Sequence, residues 1–223
     1  MAGKLRASKQ NRIPKTLHYC WFGPNEMSEL HKACLRSWRT EMPEYSVIKW
    51  DETNAPMRHP FVAYHHAKGN WAYVSDFVRL YALYEHGGIY LDTDVEAIRP
   101  FDTLLRHRLF AAYESENRIN SAVFGARRNE VFLKNCMEYM RKRHERKLPY
   151  RIAPEVVTAV YEKGTYPEMT LLPKESFYPY NPYEPGSPGQ LLYHDIKSGT
   201  YAIHHWAKSW KMKLSARILR KLL

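Results

Sequence analysis

Apolar and polar positions follow two periods along the chain, and the switches between them mark out its elements. Ile13-Pro14-Lys15-Thr16-Leu17-His18-Tyr19-Cys20-Trp21-Phe22 is an apolar, aromatic-rich run closed by Gly23-Pro24, which predicts a first core strand ending in a loop. Residues 26–39 carry Met27, Leu30, Ala33, Cys34, Leu35 and Trp38 at helical spacing, and this helix stops before Met42-Pro43. Tyr45–Trp50 predicts a second strand and Asp51–Pro56 a turn, whereas 57–70 has no period that decides its structure. From Trp71 to His86 apolar residues recur every three or four positions, and Gly87 supplies the stop. Ile89-Tyr90-Leu91 follows at once and reads as a buried strand whose far end bears Asp92 and Asp94.

Downstream, Ile98–Phe101 leads into a loop and short helix, and 109–114 and 120–126 read as strands. Residues 130–147 form a helix with Val131, Phe132, Cys136, Met137 and Met140 on its apolar side, and another begins at Ala153 with Pro154 in an early position. Pro173, Pro179, Pro182, Pro185 and Pro188 make 170–190 an irregular surface segment. Strands alternating with helices imply an α/β sandwich with a largely parallel sheet. In such sheets ligands bind beyond the carboxyl ends of the strands, where Trp21 and the Asp92/Asp94 pair both fall.

Composition adds a preference for phosphate. The chain has 223 residues and a formal net charge of +11, a balance that attracts nucleic acid, nucleotide sugars or anionic lipid. Basic residues gather at 127–147 and at the C-terminus; for the group at 141–147 a solvated helix face or helix end is the plain account. Basic and aromatic residues do not interleave as stacking platforms, so a nucleic-acid-binding module is disfavoured and no nucleic-acid partner is expected. No run approaches a membrane span, and the basic first twelve residues lack the apolar core of a secretory signal. Cys20, Cys34 and Cys136 are odd in number without C-x-x-C spacing, the usage of reduced thiols, so a cytoplasmic location is expected.

Asp92 and Asp94 are closely set hard-oxygen ligands, the kind that suit Mg²⁺ or Mn²⁺ holding a substrate phosphate. Asp76 and Arg79, spaced i, i+3, share a helix face: an internal ion pair is the plain account, and a grip on a polyhydroxylated ligand the functional one. Two enzyme classes accommodate Leu91-Asp92-Thr93-Asp94-Val95. One is a haloacid-dehalogenase-like Mg²⁺-dependent phosphatase using Asp92 and Asp94, weakened because only Asp195 follows Asp102 among the aspartates. The other is a nucleotide-sugar transferase whose acidic pair holds a divalent ion against a diphosphate leaving group.

Three stretches favour the second. Ile13 to Gly23 fits I-P-K-x-[LI]-H-x-x-W-F-G, Ser75 to Asp94 fits S-D-x-x-R-x-x-x-L-x-x-x-G-G-[IM]-Y-L-D-x-D, and His204 to Trp210 fits H-x-x-x-x-S-W. In these the chain resembles the DXD-containing sugar-transferase family of the yeast initiating α-1,6-mannosyltransferase and bacterial capsular and lipopolysaccharide sugar transferases, and more distantly the clostridial glucosylating toxins. The resemblance implies a GT-A-type nucleotide-binding sandwich over 13–210, between a basic tail at 1–12 and a basic amphipathic helix at 211–223. It implies that Trp21 stacks on the donor base, that Asp76 and Arg79 contact the donor sugar, and that Tyr90 lies near the ribose or phosphate, although strand alternation also makes Tyr90 core. Asp92 would contact ribose or metal-bound water and Asp94 the metal. His204 or His205 would complete coordination, with the motif spacing favouring His204. Lys208, Ser209 and Trp210 would close over the diphosphate. Ala153-Pro154 departs from the Gly-Pro that relatives often carry. The activity so implied is transfer of a hexose from a nucleotide diphosphate sugar, UDP-sugar favoured, to a glycan or lipid-linked oligosaccharide acceptor in cell-surface polysaccharide synthesis, with retention of configuration and Mn²⁺ or Mg²⁺ as cofactor. Trp210, Leu214, Ile218 and Leu222, four apart among basic residues, give the tail the pattern of a helix lying on an anionic membrane surface, so a peripheral position on the inner face of the cell membrane is expected.

Overall fold

The computed structural model describes residues 12–207. A six-stranded sheet runs through the centre in the order β2 (Ser46–Trp50), β1 (Thr16–Cys20), β3 (Gly88–Leu91), β6 (Arg118–Ala126), β5 (Leu109–Ser115), β7 (Met169–Leu172). β1 pairs in parallel with β2 and with β3, and β5 in parallel with β7, while β6 runs antiparallel to both its neighbours. Reversing one strand leaves the sheet mostly parallel. A small antiparallel pair joins β4 (Val95–Ala97) to β8 (Ala202–His204).

Helices cover both faces of this α/β sandwich. On one side α3 (Trp71–His86), α4 (Val131–Glu145) and α5 (Ala153–Lys163) pack Val74, Val78, Phe132, Val156 and their neighbours onto the sheet. On the other, α1 (Glu29–Glu41) buries Trp38 with Ile89, Leu91, Val95 and Phe101. Strand β3 is buried throughout, and its alternation sends Tyr90 toward α3 and Ile89 and Leu91 toward α1.

The Gly87-Gly88 turn between α3 and β3 is fixed by space as well as by backbone angle. Both glycines have positive φ, and a Cβ on Gly88 would lie 2.6 Å from the Thr16 carbonyl oxygen and 2.9 Å from His18 Nε2. His18, fully buried, donates from Nε2 to the Gly87 carbonyl (2.8 Å) and accepts at Nδ1 from the Trp50 indole (3.1 Å). The histidine of the first sequence motif therefore fastens β1, β2 and the Gly-Gly turn together. Burial pushes its pKa down to about 4, and the two bonds suit the neutral ring.

Four elements depart from the sequence expectation. Residues 60–67, without a clear period, form helix α2 (Pro60–Ala67), which starts on Pro60 and buries Phe61, Val62 and His65. β7 lies at the edge of the segment expected to be irregular, and the three-residue β4 and β8 are too short to show a period. The tail helix at 211–223 lies outside the described residues.

Candidate active site

Parallel pairing sets the site. His18 lies opposite Tyr90, so two residues further on the end of β1 reaches the level of Asp92 and the chain passes into Trp21. Asp92 continues the alternation of β3 and takes the Tyr90 side, where the Tyr90 hydroxyl donates to its Oδ1 (3.0 Å). Then the chain turns, with the Val95 N–H on the Asp92 carbonyl (3.0 Å), and Asp94 swings to the other side of the loop. There the β4–β8 pairing, which sets Val95 opposite His204, brings that imidazole to Asp94. His204 Nε2 is 3.3 Å from Asp94 Oδ1, and the Ala207 N–H donates to Asp94 Oδ2 (2.8 Å).

Ligand atoms of Asp92, Asp94 and His204 lie within 4.8 Å of one another, the one such cluster found among the described residues. Adjacent ligands of an octahedral ion at about 2.1 Å are about 3 Å apart, so two carboxylate oxygens and one imidazole nitrogen at these separations fit a divalent ion. Burial alone would raise the Asp94 carboxyl and lower the His204 imidazole. Their pairing reverses both, holding Asp94 well below the usual carboxylate range and His204 above its own. His205, also expected as a ligand, is turned away: its ring bonds Glu96 at 2.8 Å, and its backbone N–H bonds the Asp94 carbonyl. Strand alternation in β8 sends adjacent residues to opposite faces, so one histidine of the pair reaches the acids.

Arg79 organises the opposite wall. Its guanidinium contacts Asp76 Oδ1 (3.0 Å) and Asp92 Oδ1 (3.2 Å), donates to the Ser121 carbonyl (3.2 Å), and lies over the Tyr90 ring at 4.7 Å. Burial opposes the Arg79 charge, but Asp92, Tyr90 and Asp76 outweigh it and hold the group protonated. Asp76 is also buried, and its Oδ2 accepts the Tyr150 hydroxyl and the Ala153 N–H. Burial raises the Asp76 carboxyl against the pull of Arg79. Asp76 and Arg79 thus form the ion pair, with their polar atoms largely committed to the protein. Tyr90 is core, 1% exposed, with its hydroxyl on Asp92.

Trp21 is half-buried at the mouth of β1, its indole N–H on the Asn25 carbonyl (2.7 Å) and its ring edge-on to His31, centroids 5.0 Å apart. Lys208, Ser209 and Trp210 lie outside the described residues. Sequence reasoning passed over His31, whose Nδ1 accepts from the Ser28 N–H (3.2 Å), leaving the proton on Nε2. Buried polar atoms without partners gather around this centre: His31 Nε2, Arg79 Nε and His204 Nδ1. Such atoms mark a place where a ligand or ion completes the bonding. Also missed were Tyr150, Glu114, which is buried, bonds Asn120 and Arg118 and acts on His204, and Trp206, whose ring lies tilted against His204 with centroids 4.3 Å apart and whose φ is 55°. The capping spacing Ser28-x-x-His31 is the signal that would have found His31.

Residues 28–111 match a family described as the glycosyltransferase sugar-binding region containing the DXD motif, a stretch that includes Asp76, Arg79, Asp92 and Asp94. Over these residues the chain is similar to the DXD glycosyltransferase family. The chain is 30% identical over 138 residues to inositol phosphoceramide mannosyltransferase 3 of Schizosaccharomyces pombe, covering 58% of this chain and 38% of that protein. It is 25% identical over 205 residues to lactosylceramide 4-alpha-galactosyltransferase of Mus musculus, covering 84% and 50%. It therefore spans half the length or less of these curated relatives. Among solved structures it shares its fold with the PaToxG glycosyltransferase (TM-score 0.59, 15% identity, 72% of this chain and 76% of that one). It also resembles a glycosyltransferase involved in glycosylation of the major capsid of PBCV-1 (TM-score 0.51, 10% identity, 94% and 100%). This similarity favours the glycosyltransferase reading of Asp92 and Asp94 over the phosphatase one.

Proposed function

We propose that the chain transfers a hexose from a nucleotide diphosphate sugar, a UDP-sugar before others, to a glycan or glycolipid acceptor, with Mn²⁺ or Mg²⁺ held by Asp92, Asp94 and His204. The observation that carries this reading is the convergence of that ligand set with the Arg79 wall at the carboxyl end of β3, inside the matched DXD region.

When bound, the divalent ion acts as Lewis acid toward the departing diphosphate. The protein does the remaining work. Trp21 offers a flat face for the base, and His31 presents a neutral N–H beside it. Burial keeps the His31 pKa low against the pull of Asp94, so the ring donates without adding charge. Arg79 fixes the Asp92 carboxylate and meets the sugar side of the cleft with its unpartnered Nε. Asp94, anchored by the Ala207 N–H, cannot rotate away from the ion. Retention of configuration, a role in cell-surface polysaccharide and action at the cytoplasmic membrane face belong to the same proposal. The relatives' action on inositol phosphoceramide and lactosylceramide supports an acceptor presented on a lipid. A screen of UDP- and GDP-sugars for Mn²⁺-dependent hydrolysis and thermal stabilisation tests the reading. A UDP-sugar that stabilises only with metal is expected; stabilisation by none, with phosphate released from monoesters, contradicts it.

A further inference from the structure

A second concavity lies beyond Asp76. It encloses about 650 Å³, a size typical of small-ligand pockets, and its walls come from α2, the C-terminal end of α4 and the connection into α5. The topology places it at the working end of the sheet. Helix α3 reverses at Gly87 into β3, so the middle of α3, with Asp76 and Arg79, stands where β3 delivers Asp92, as the Arg79–Asp92 contact shows. Tyr150 joins the two spaces. It lines the pocket, its hydroxyl donates to Asp76, and its ring stacks on Tyr73 with centroids 3.4 Å apart.

The lining has two characters. Tyr64, 48% exposed, and Tyr150 present aromatic surface, and Phe61, 2% exposed, is buried against Tyr150. Such faces suit the C–H side of a sugar ring. Around them stand Arg143, Lys147 and Arg151, against one acid, Glu145. His65 adds no charge, since burial pushes its pKa down to about 4. Arg143 donates to the Pro149 carbonyl (2.7 Å) yet leaves Nε buried and without a partner. A buried guanidinium nitrogen without a bond costs stability, so this one calls for a partner.

We propose that this pocket is the acceptor subsite and that it takes a saccharide bearing a phosphate or carboxylate, an identification that rests on the transferase reading above. The basic rim selects the anion, the aromatic faces hold the sugar, and Tyr150 sets the acceptor next to the Asp76–Arg79 wall of the donor cleft. The anionic group can belong to a soluble glycan or to a phosphoinositol headgroup, and the two sources are separable.

Binding to the full chain is measured by calorimetry in EDTA, so that metal-held phosphate does not contribute. The probes are glucose-6-phosphate against glucose, and phosphatidylinositol vesicles against phosphatidylcholine vesicles. The comparison includes Lys147→Glu/Arg151→Glu, exposed positions whose melting temperature is checked, and Arg106→Glu outside the pocket as a charge control. Glucose-6-phosphate should bind at least about tenfold more tightly than glucose, and the double variant but not Arg106→Glu should abolish the difference. Preference for phosphatidylinositol vesicles alone, lost in the same variant, supports the site with a lipid headgroup as its source. Equal binding of sugar and sugar phosphate without vesicle preference, or unchanged preference in the double variant, overturns the proposal. Stabilisation of the wild type by UDP or GDP with Mn²⁺ is recorded in parallel. Phosphate preference without binding of UDP or GDP would fell the transferase reading and leave the pocket standing as an anion site; nucleotide binding without phosphate preference would do the reverse.

Discussion

Arg79 does the most at the scale of single residues, since it neutralises Asp76 and Asp92 together from a buried position. Arg79→Ala leaves carboxylates without a counter-charge and should cost about 3–5 kcal/mol, read as a lowered chemical-denaturation midpoint at unchanged slope. Arg79→Lys, with one point charge in place of a fork, should restore only part of that loss. His31 separates stability from binding. His31→Asn retains an acceptor for the Ser28 N–H and removes the free Nε2 donor, so its melting temperature should stay near wild type while UDP affinity falls about tenfold. A variant that melts early with unchanged UDP affinity would make His31 a capping residue alone.

At the scale of elements, the Gly87-Gly88 turn and the strand it feeds are the critical pair. Gly88→Ala puts a methyl group against the Thr16 carbonyl and the His18 ring, at a φ of 110°, and should lower the melting temperature by several degrees. His18 gives the turn a pH signature. Its folded pKa of about 4 lies below the ordinary 6.5, so the unfolded chain binds the extra proton between those values. Stability from this group is complete above pH 6.5, falls as the pH drops toward 4, and is flat below. His65, also held near 4 by burial, acts in the same window. Urea melts at pH 7 and pH 5 should show the fall, and His18→Gln should reduce it. Most elements were legible in the sequence because long runs keep one period: α3 is bounded at Trp71 and His86, as its apolar spacing requires. The failures were short. α2 spans eight residues with a histidine, His65, among its buried positions, and β4 and β8 span three, so none of them offers enough repeats for a period to register.

At the scale of the whole molecule, the site is assembled from segments that the sequence keeps far apart. Asp92 and Asp94 announce themselves by spacing. His204 joins them because a two-stranded sheet pairs the chain's residue 95 with residue 204, a contact that no local pattern encodes. The same pairing decides between the two histidines, sending His205 to Glu96. Tyr150 and its pocket were invisible for a similar reason, since the link to Asp76 spans from a loop to a helix across the fold. The central claim is that Asp94, with Asp92 and His204, holds a divalent ion that serves a nucleotide diphosphate. Electron paramagnetic resonance of Mn²⁺ titrated into the full chain, with and without UDP, measures this directly. Wild type should bind Mn²⁺ more tightly when UDP is present, and Asp94→Asn should lose that binding while keeping its fold; Mn²⁺ binding in Asp94→Asn equal to wild type, with UDP making no difference in either, would contradict the account.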